Sequence, residues 1–198
     1  MQDGTVDQDG SSQSTDYPSS AGSALDRIIA DHAMQLELCD ALEFIADSLP
    51  SQIDIGLVRD VANVLEHGLS DHFRLEEKEL FPLLRRRAAT NSDLAAILDQ
   101  VEKEHERDDD LSSELAEELA ALADNERARN AEMLGYMLRG YFASLRRHIE
   151  WENALLLPAV KRVLSADELT ATEVNPGSEM QRRAWRNLKA RRNRGSWS

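Results

Sequence analysis

The stretch HFRLEEKELFP, residues 72–82, decides how this chain folds, because it returns as HIEWENALLLP at residues 148–158. Each copy reads His, three residues, Glu, three residues, Leu, one apolar residue, Pro. At 3.6 residues per turn, positions i and i+4 lie on one face of a helix, so each copy sets a His and a Glu side by side. The sequence around both copies keeps a helical period. Val58, Val61, Leu65, Gly68, His72 and Leu75 form one stripe, and Leu134, Leu138, Tyr141, Leu145, His148, Glu152 and Leu155 form another. Two further stripes run through Leu25, Ile28, Ile29, His32, Leu36, Cys39 and Leu42, and through Leu94, Leu98, Val101, His105, Ser112, Leu115, Leu119 and Leu122. No window shows the period-two alternation of a strand.

The breaks between stripes are short. Ser23 with Asp26 predicts a capping box. Pro50 and Ser51 close the first helix, and Ser51 with Asp54 is expected to cap the second. Thr90, Asn91 and Ser92 mark the next break, and Asp124 with Asn125 the one after. Short connections between long amphipathic helices imply antiparallel neighbours, hence an all-α, up-down-up-down four-helix bundle over residues 23–164. Residues 1–22, rich in Ser, Asp, Gly and Gln, are predicted to be a disordered acidic tail. Residues 165–198 are expected to hold short helices near Ser165–Leu169 and Gln181–Arg192, separated by Asn175, Pro176 and Gly177, and to end as a basic helical tail.

Composition agrees with this class. Hydrophobic residues at 41% suffice for a core, while aromatics at 5% suit a bundle better than a sheet protein. No apolar run reaches the ~18 residues of a membrane span, so no membrane association is expected. The N-terminus lacks a basic region followed by an apolar one, so no signal peptide is expected. The single cysteine, Cys39, excludes an intrachain disulfide, and these features together point to the cytoplasm. The net charge of −14 is uneven: residues 1–22 carry four Asp and no base, residues 179–198 carry seven Lys or Arg against one Glu, and the body between stands at −16. Such a body repels phosphate backbones, so nucleic acid is not an expected partner.

The histidines carry the chemistry. Four of the five, His32, His72, His105 and His148, fall on the apolar stripes, one per helix. A lone His on an apolar face is most often a satisfied core residue, but four imidazoles in one bundle need partners for eight ring nitrogens. Glu76 and Glu152 join them, and a buried carboxylate without a partner is costly. A cation removes that cost and uses the imidazoles. The separation is 76 residues for both His72 to His148 and Glu76 to Glu152, and 73 for His32 to His105. The bundle therefore reads as two helical hairpins, each giving one His and then a His-x3-Glu, which makes two metal centres held together by shared carboxylates. Imidazole and carboxylate without thiolate favour two Fe ions ahead of Mn or Zn, in the manner of di-iron carboxylate bundles.

Other polar residues read more blandly. His67 lies about 140° round the helix from His72 and is expected at the surface. Glu77 and Glu106, about 100° from a ligand, are expected to be solvated acids. Asp109 shares the face of His105 and is a candidate ligand or a partner of one. Cys39 reads as a small buried hydrophobe. Tyr141 and Trp151 are placed to flank the site or simply to pack. The tail MQRRAWRNLKARR, with Met180, Trp185 and Leu188 interleaved among bases, reads as a helix lying on the acidic body.

Over residues 24–164 the ordered set DHAMQ, HFRLEEKELFP, EHERDDD and HIEWENALLLP resembles the hemerythrin-like (HHE cation-binding) family. The resemblance implies a four-helix bundle around a non-haem di-iron centre, bridged by carboxylates and an oxygen atom, that binds or reacts with O2 or related small molecules. By position it carries over His32, His72, Glu76, His105, His148 and Glu152. Oxygen carriers of the family place a further His four residues after the third-helix His, where this chain has Asp109. They end in His-x4-Asp, where this chain has Asn153 preceded by Glu152. These departures resemble family members that sense or regulate. The expected function is therefore an O2-, redox- or iron-responsive sensor or regulatory module, acting through a protein partner that contacts the tails. The alternatives are a di-iron oxidase or peroxide-consuming enzyme, and storage or detoxification of iron or NO.

Overall fold

A computed structural model describes residues 23–87, 92–125, 128, 130–172, 174, 175 and 177–195. The expectations for residues 1–22, for the break at Thr90 and Asn91, and for Pro176 lie outside the described residues. Among the described residues there is no strand, and the fold is the expected all-α bundle. Its first arm is α1 (Ala24–Ser48). The second is α2 (Ile55–His67), α3 (Ser70–Arg74), a π-helical turn (Leu75–Leu80) and α4 (Phe81–Arg87). The third is α5 (Ser92–Asn125), and the fourth is α6 (Ala131–Trp151), a second π-helical turn (Glu152–Leu156) and α7 (Leu157–Val163). Two short helices, α8 (Ala166–Ala171) and α9 (Glu179–Asn193), come after the bundle. No described helix is long and apolar enough to cross a membrane.

Local chemistry sets the helix starts. The Ser23–Asp26 capping box forms as expected, and Ser165 with Glu168 and Ser178 with Gln181 make two more. The second helix departs from expectation: Asp54 itself is the N-cap, its side chain accepting from the Leu57 amide, so Ser51 lies outside the helix. Asn130 caps α6 in the same way through Met133.

The arms run antiparallel. Arg139 near the start of α6 pairs with Asp47 near the end of α1 at 2.7 Å, and Arg146 further along pairs with Asp40 at 2.8 Å. Arg59 in α2 donates to the Ala123 carbonyl at 3.4 Å, whereas Arg85 in α4 meets Glu102 at 2.9 Å. Helix α1 packs on α6 and on α2, α2 on α5, and α5 on α6, which closes a ring of four. Inside the ring are two apolar clusters. One is built around Leu38, Leu42, Val61, Leu119, Leu138 and Leu145. The other is built around Ile28, Leu80, Phe81, Leu98, Leu156 and Val160. Along α1 the first cluster begins after His32 and the second ends before it, so the histidine layer forms a polar waist between two cores.

The π-helical turns have a cause in the repeated phrase. Pro82 and Pro158 lack an N–H, and in a regular α-helix their rings would press on the carbonyls of Lys78 and Ala154. A turn widened by one residue gives the ring room. The Phe81 amide donates to the Glu76 carbonyl and the Leu157 amide to the Glu152 carbonyl, each five residues back. The extra residue also rotates the remainder of the helix: Leu155, which the α-helical stripe placed inside, is 41% exposed, and Leu156 takes its place in the core. On α1, Ile29 and Leu36 are likewise exposed, and Gln35 and Leu38 are buried instead.

Candidate metal centre

The repeated phrase and the two single-histidine helices bring His32, His72, Glu76, His105, His148 and Glu152 together at the waist, none more than 3% exposed. The imidazoles fall into two edge-on pairs, His32 with His72 and His105 with His148, each with ring centroids 5.1 Å apart. All four point Nε2 inward. Glu152 Oε2 lies 2.9 Å from His32 Nε2, and its Oε1 lies 3.3 Å from His148 Nε2 and 3.7 Å from His105 Nε2. Glu76 Oε2 lies 3.2 Å from His105 Nε2 and 3.6 Å from His72 Nε2. Each carboxylate thus reaches imidazoles of both pairs. Ligand atoms of His32, His72, Glu76 and Glu152 lie within 4.8 Å of one another, as do those of His105, His148 and Glu152.

Three of the four outward nitrogens are hydrogen-bonded in a cyclic exchange, and the fourth faces a carboxylate in the same cycle. Glu77 of the second arm accepts from His105 Nδ1 of α5 at 2.9 Å, and Glu104 of α5 accepts from His148 Nδ1 of α6 at 3.0 Å. Asn153 of the fourth arm accepts from His32 Nδ1 of α1 at 3.0 Å. Asp31 of α1 faces His72 Nδ1 at 3.6 Å and is itself held by Arg27 Nε at 2.8 Å and 2.9 Å. Each partner is the sequence neighbour of a residue in the centre, and each serves the histidine of the next arm. With Nδ1–H committed outward on His32, His105 and His148, the Nε2 lone pair of each faces inward, the tautomer a metal ligand requires. Phe73 stacks on His105 with centroids 4.2 Å apart and fixes the plane of that ring.

What the inward atoms lack is a hydrogen bond. The four Nε2 atoms and all four oxygens of Glu76 and Glu152 have no partner of suitable direction. An unsatisfied buried polar atom costs about 1–3 kcal/mol, so eight together would rival the roughly 5–15 kcal/mol net stability of a domain. Cations at the inward face satisfy all eight at once. Without them, protons must do it. Burial works against charge on His105 and His148, yet the Glu152, Glu76 and Glu77 carboxylates hold His105 up at about 11, and Glu152 and Glu104 hold His148 up at about 9. Burial likewise opposes charge on His32, and Glu152 overcomes it. Burial pushes the Glu152 carboxyl up, but the three histidines outweigh it and hold it well below the usual carboxylate range.

Other expectations fare differently. His67 is part-exposed beside Glu66 and takes no part in the layer. Glu106 is solvated as expected, but Glu77 is not a free acid, since it holds His105. Asp109 is exposed at the rim, and Asp108, one residue earlier, is the buried aspartate. Cys39 is fully buried, and burial pushes its thiol up to about 12, as fits a small hydrophobe rather than a redox group. Tyr141 is buried in the first apolar cluster, and Trp151 packs against the second. The basic tail does lie on the acidic body: Trp185 and Leu188 are buried against α2 while Met180 is 59% exposed. Sequence reasoning missed Asp31, Glu104 and Asn153 as outward partners. Their one signal was position, each adjacent to a residue of the centre.

A pocket of about 270 Å³ opens beside the layer, lined by Phe73, Arg74, Glu77, Lys78, His105 and Asp109 among others. His105 is the one residue of the layer that lines it.

No curated protein and no solved structure matched the chain. One family model did: that described as the hemerythrin HHE cation binding domain, over residues 23–160.

Proposed function

From a chain that belongs to the hemerythrin HHE cation binding domain family, we propose that the waist holds a pair of non-haem iron ions and that the protein is an O2-, redox- or iron-responsive sensor or regulatory module. One ion falls to His32, His72, Glu76 and Glu152, the other to His105, His148 and Glu152, with Glu76 also within reach. The observation that carries this is the set of eight inward ring nitrogens and carboxylate oxygens with no hydrogen-bond partner. Imidazole and carboxylate donors, with the only thiol held protonated and buried, favour iron among the divalent metals.

When bound, iron supplies a reversible one-electron change at each ion and affinity for oxygen-derived ligands. The chain supplies the rest. Glu77, Glu104 and Asn153 fix the tautomer of three ligands. The apolar clusters on either side keep bulk water from the layer, and a pocket lined by His105 gives a small reactant a place beside it. That pocket also favours a second reading, a di-iron oxidase or peroxide-consuming enzyme using the same centre.

Metal analysis with an optical spectrum of protein purified without chelator tests the first claim: about two Fe per chain is expected, and protein that cannot be loaded with iron anaerobically refutes it. Oxygen or peroxide uptake in the presence of a reductant separates the readings. A sensor reacts once per centre, and an enzyme turns over.

A further inference from the structure

Helix α9 lies beyond the residues matched by the family, yet two strings of contacts run from it and its approach segment to His72. The first starts at a broken turn. Between α2 and α3 the His72 amide donates to the Leu69 carbonyl at 3.1 Å, three residues back, so the Gly68 carbonyl has lost the helical donor it would have had. Two side chains of α9 replace it: Gln181 Nε2 donates to Gly68 O at 3.0 Å and Trp185 Nε1 at 3.1 Å. Gly68 is required for that approach, because a Cβ there would stand 2.6 Å from the Val64 carbonyl and 3.0 Å from Trp185 Nε1. The second string starts at the Asn175 carbonyl, which accepts from Arg27 at 3.3 Å. Arg27 clasps Asp31, and Asp31 faces His72 Nδ1. One string sets the backbone that carries His72, and the other sets the group behind its ring.

We propose that α9 with Asn175 is a positioning element for His72, which couples docking of α9 on α2 to metal occupancy of the His32–His72 half of the centre. The proposal rests on the metal reading above and specifies its regulation. Trp185, Gln181, Arg27 and Asp31 are positioning residues, since none touches the inward face. The helix is fastened largely by charge at its far end, Arg191 to Asp60 at 2.7 Å and Arg192 to Glu37 at 2.9 Å. It is therefore an element that an acidic partner surface can compete for. Coupling is reciprocal: whatever factor α9 docking adds to metal affinity, metal adds to α9 docking.

The test uses the full chain loaded with iron(II) under anaerobic conditions. Wild type, the double variant Trp185→Phe with Gln181→Met, which removes both N–H donors while leaving an aromatic and a linear side chain in place and also removes the Gln181 acceptor of the Ser178 cap, and the control Arg183→Gln are titrated with a chelator while the iron remaining is counted. Partners that orient a metal ligand are typically worth about 10–100-fold in metal affinity. The double variant should lose one of its two ions at roughly tenfold lower chelator or less, with the other ion unmoved. The control should match wild type. Trypsin cleavage within α9 of wild type should slow when iron is bound. If both ions of the double variant shift together, or neither shifts, or iron leaves the cleavage rate unchanged, the coupling is wrong while the metal reading stands. A wild type that takes up no iron overturns both. If the double variant does not fold, Arg191→Gln, which frees the far end of α9 without touching Trp185 or Gln181, must show the same selective loss for the proposal to survive.

Discussion

Replacing Glu152 by Gln keeps shape and removes one charge at the place where the two halves of the centre meet. Glu152 approaches His32, His105 and His148 at 2.9, 3.7 and 3.3 Å and is fully buried. Glu76 lies 3.6 Å from His72 and 3.2 Å from His105. Breaking a buried charge network by removing one partner costs about 3–5 kcal/mol. In a body of this size each kcal/mol moves the melting temperature by about 2–4 °C. Metal-free Glu152→Gln should therefore melt roughly 6–20 °C below metal-free wild type. It should also fail to retain either ion, because both groups of ligand atoms include Glu152. Glu76→Gln should keep an ion at His105, His148 and Glu152 and lose the other. Elemental analysis of purified variants and thermal unfolding followed by circular dichroism give both numbers. A Glu152→Gln protein that retains two ions, or melts within a degree or two of wild type, would show that Glu152 is not the shared residue of the layer.

Three further outcomes are expected. His72→Ala should lower iron content while His67→Ala, which sits beside Glu66 away from the layer, leaves it unchanged; equal losses would mean the helix register is misread. In metal-free protein, His105 and His148 are held at about 11 and about 9 against an ordinary 6.5. A raised folded value gives stability that is complete below the unfolded value and is lost as pH rises through the folded one. Metal-free protein should therefore lose stability from about pH 7 upward through pH 9 and 11, and a melting temperature flat or rising over that range in denaturation scans would contradict the ion cluster. Cys39, fully buried with its thiol pushed up to about 12, should resist iodoacetamide at pH 8 in native protein and react once it is unfolded; rapid labelling of the native state would place it at an accessible site.

Much of this protein was legible in the sequence. The duplicated His-x3-Glu phrase, a histidine on each of the other two stripes and four helical periods led to an all-α bundle and to six candidate ligands facing its interior, while the polar layer they form between two apolar cores came from the structure. That reasoning works because helix periodicity and the spacing i, i+4 are local properties of the backbone, repeated at every turn. Tertiary structure decided what periodicity leaves open. Positions i+3 and i+4 fall about 60° and 40° on either side of a given residue. A stripe cannot choose between Asp108 and Asp109, and the packing of α5 on α6 buries the first and exposes the second. The repeated prolines were visible, but the extra residue they place in each turn, which sends Leu155 out and Leu156 in, depends on how the widened helix meets its neighbours. Each outward partner serves the histidine of the next arm, so adjacency to a residue of the centre marks it but no single helix shows which ring it holds. Helix α9 could be read as a basic amphipathic segment, but its grip on the Gly68 carbonyl could not, because that acceptor exists only where the chain breaks its own helical ladder, 113 residues before Gln181 and 117 before Trp185. A sequence specifies which faces are apolar and which residues can bind. Which atoms meet across the bundle is set by the crossing of whole helices, and that emerges only when all of them are packed at once.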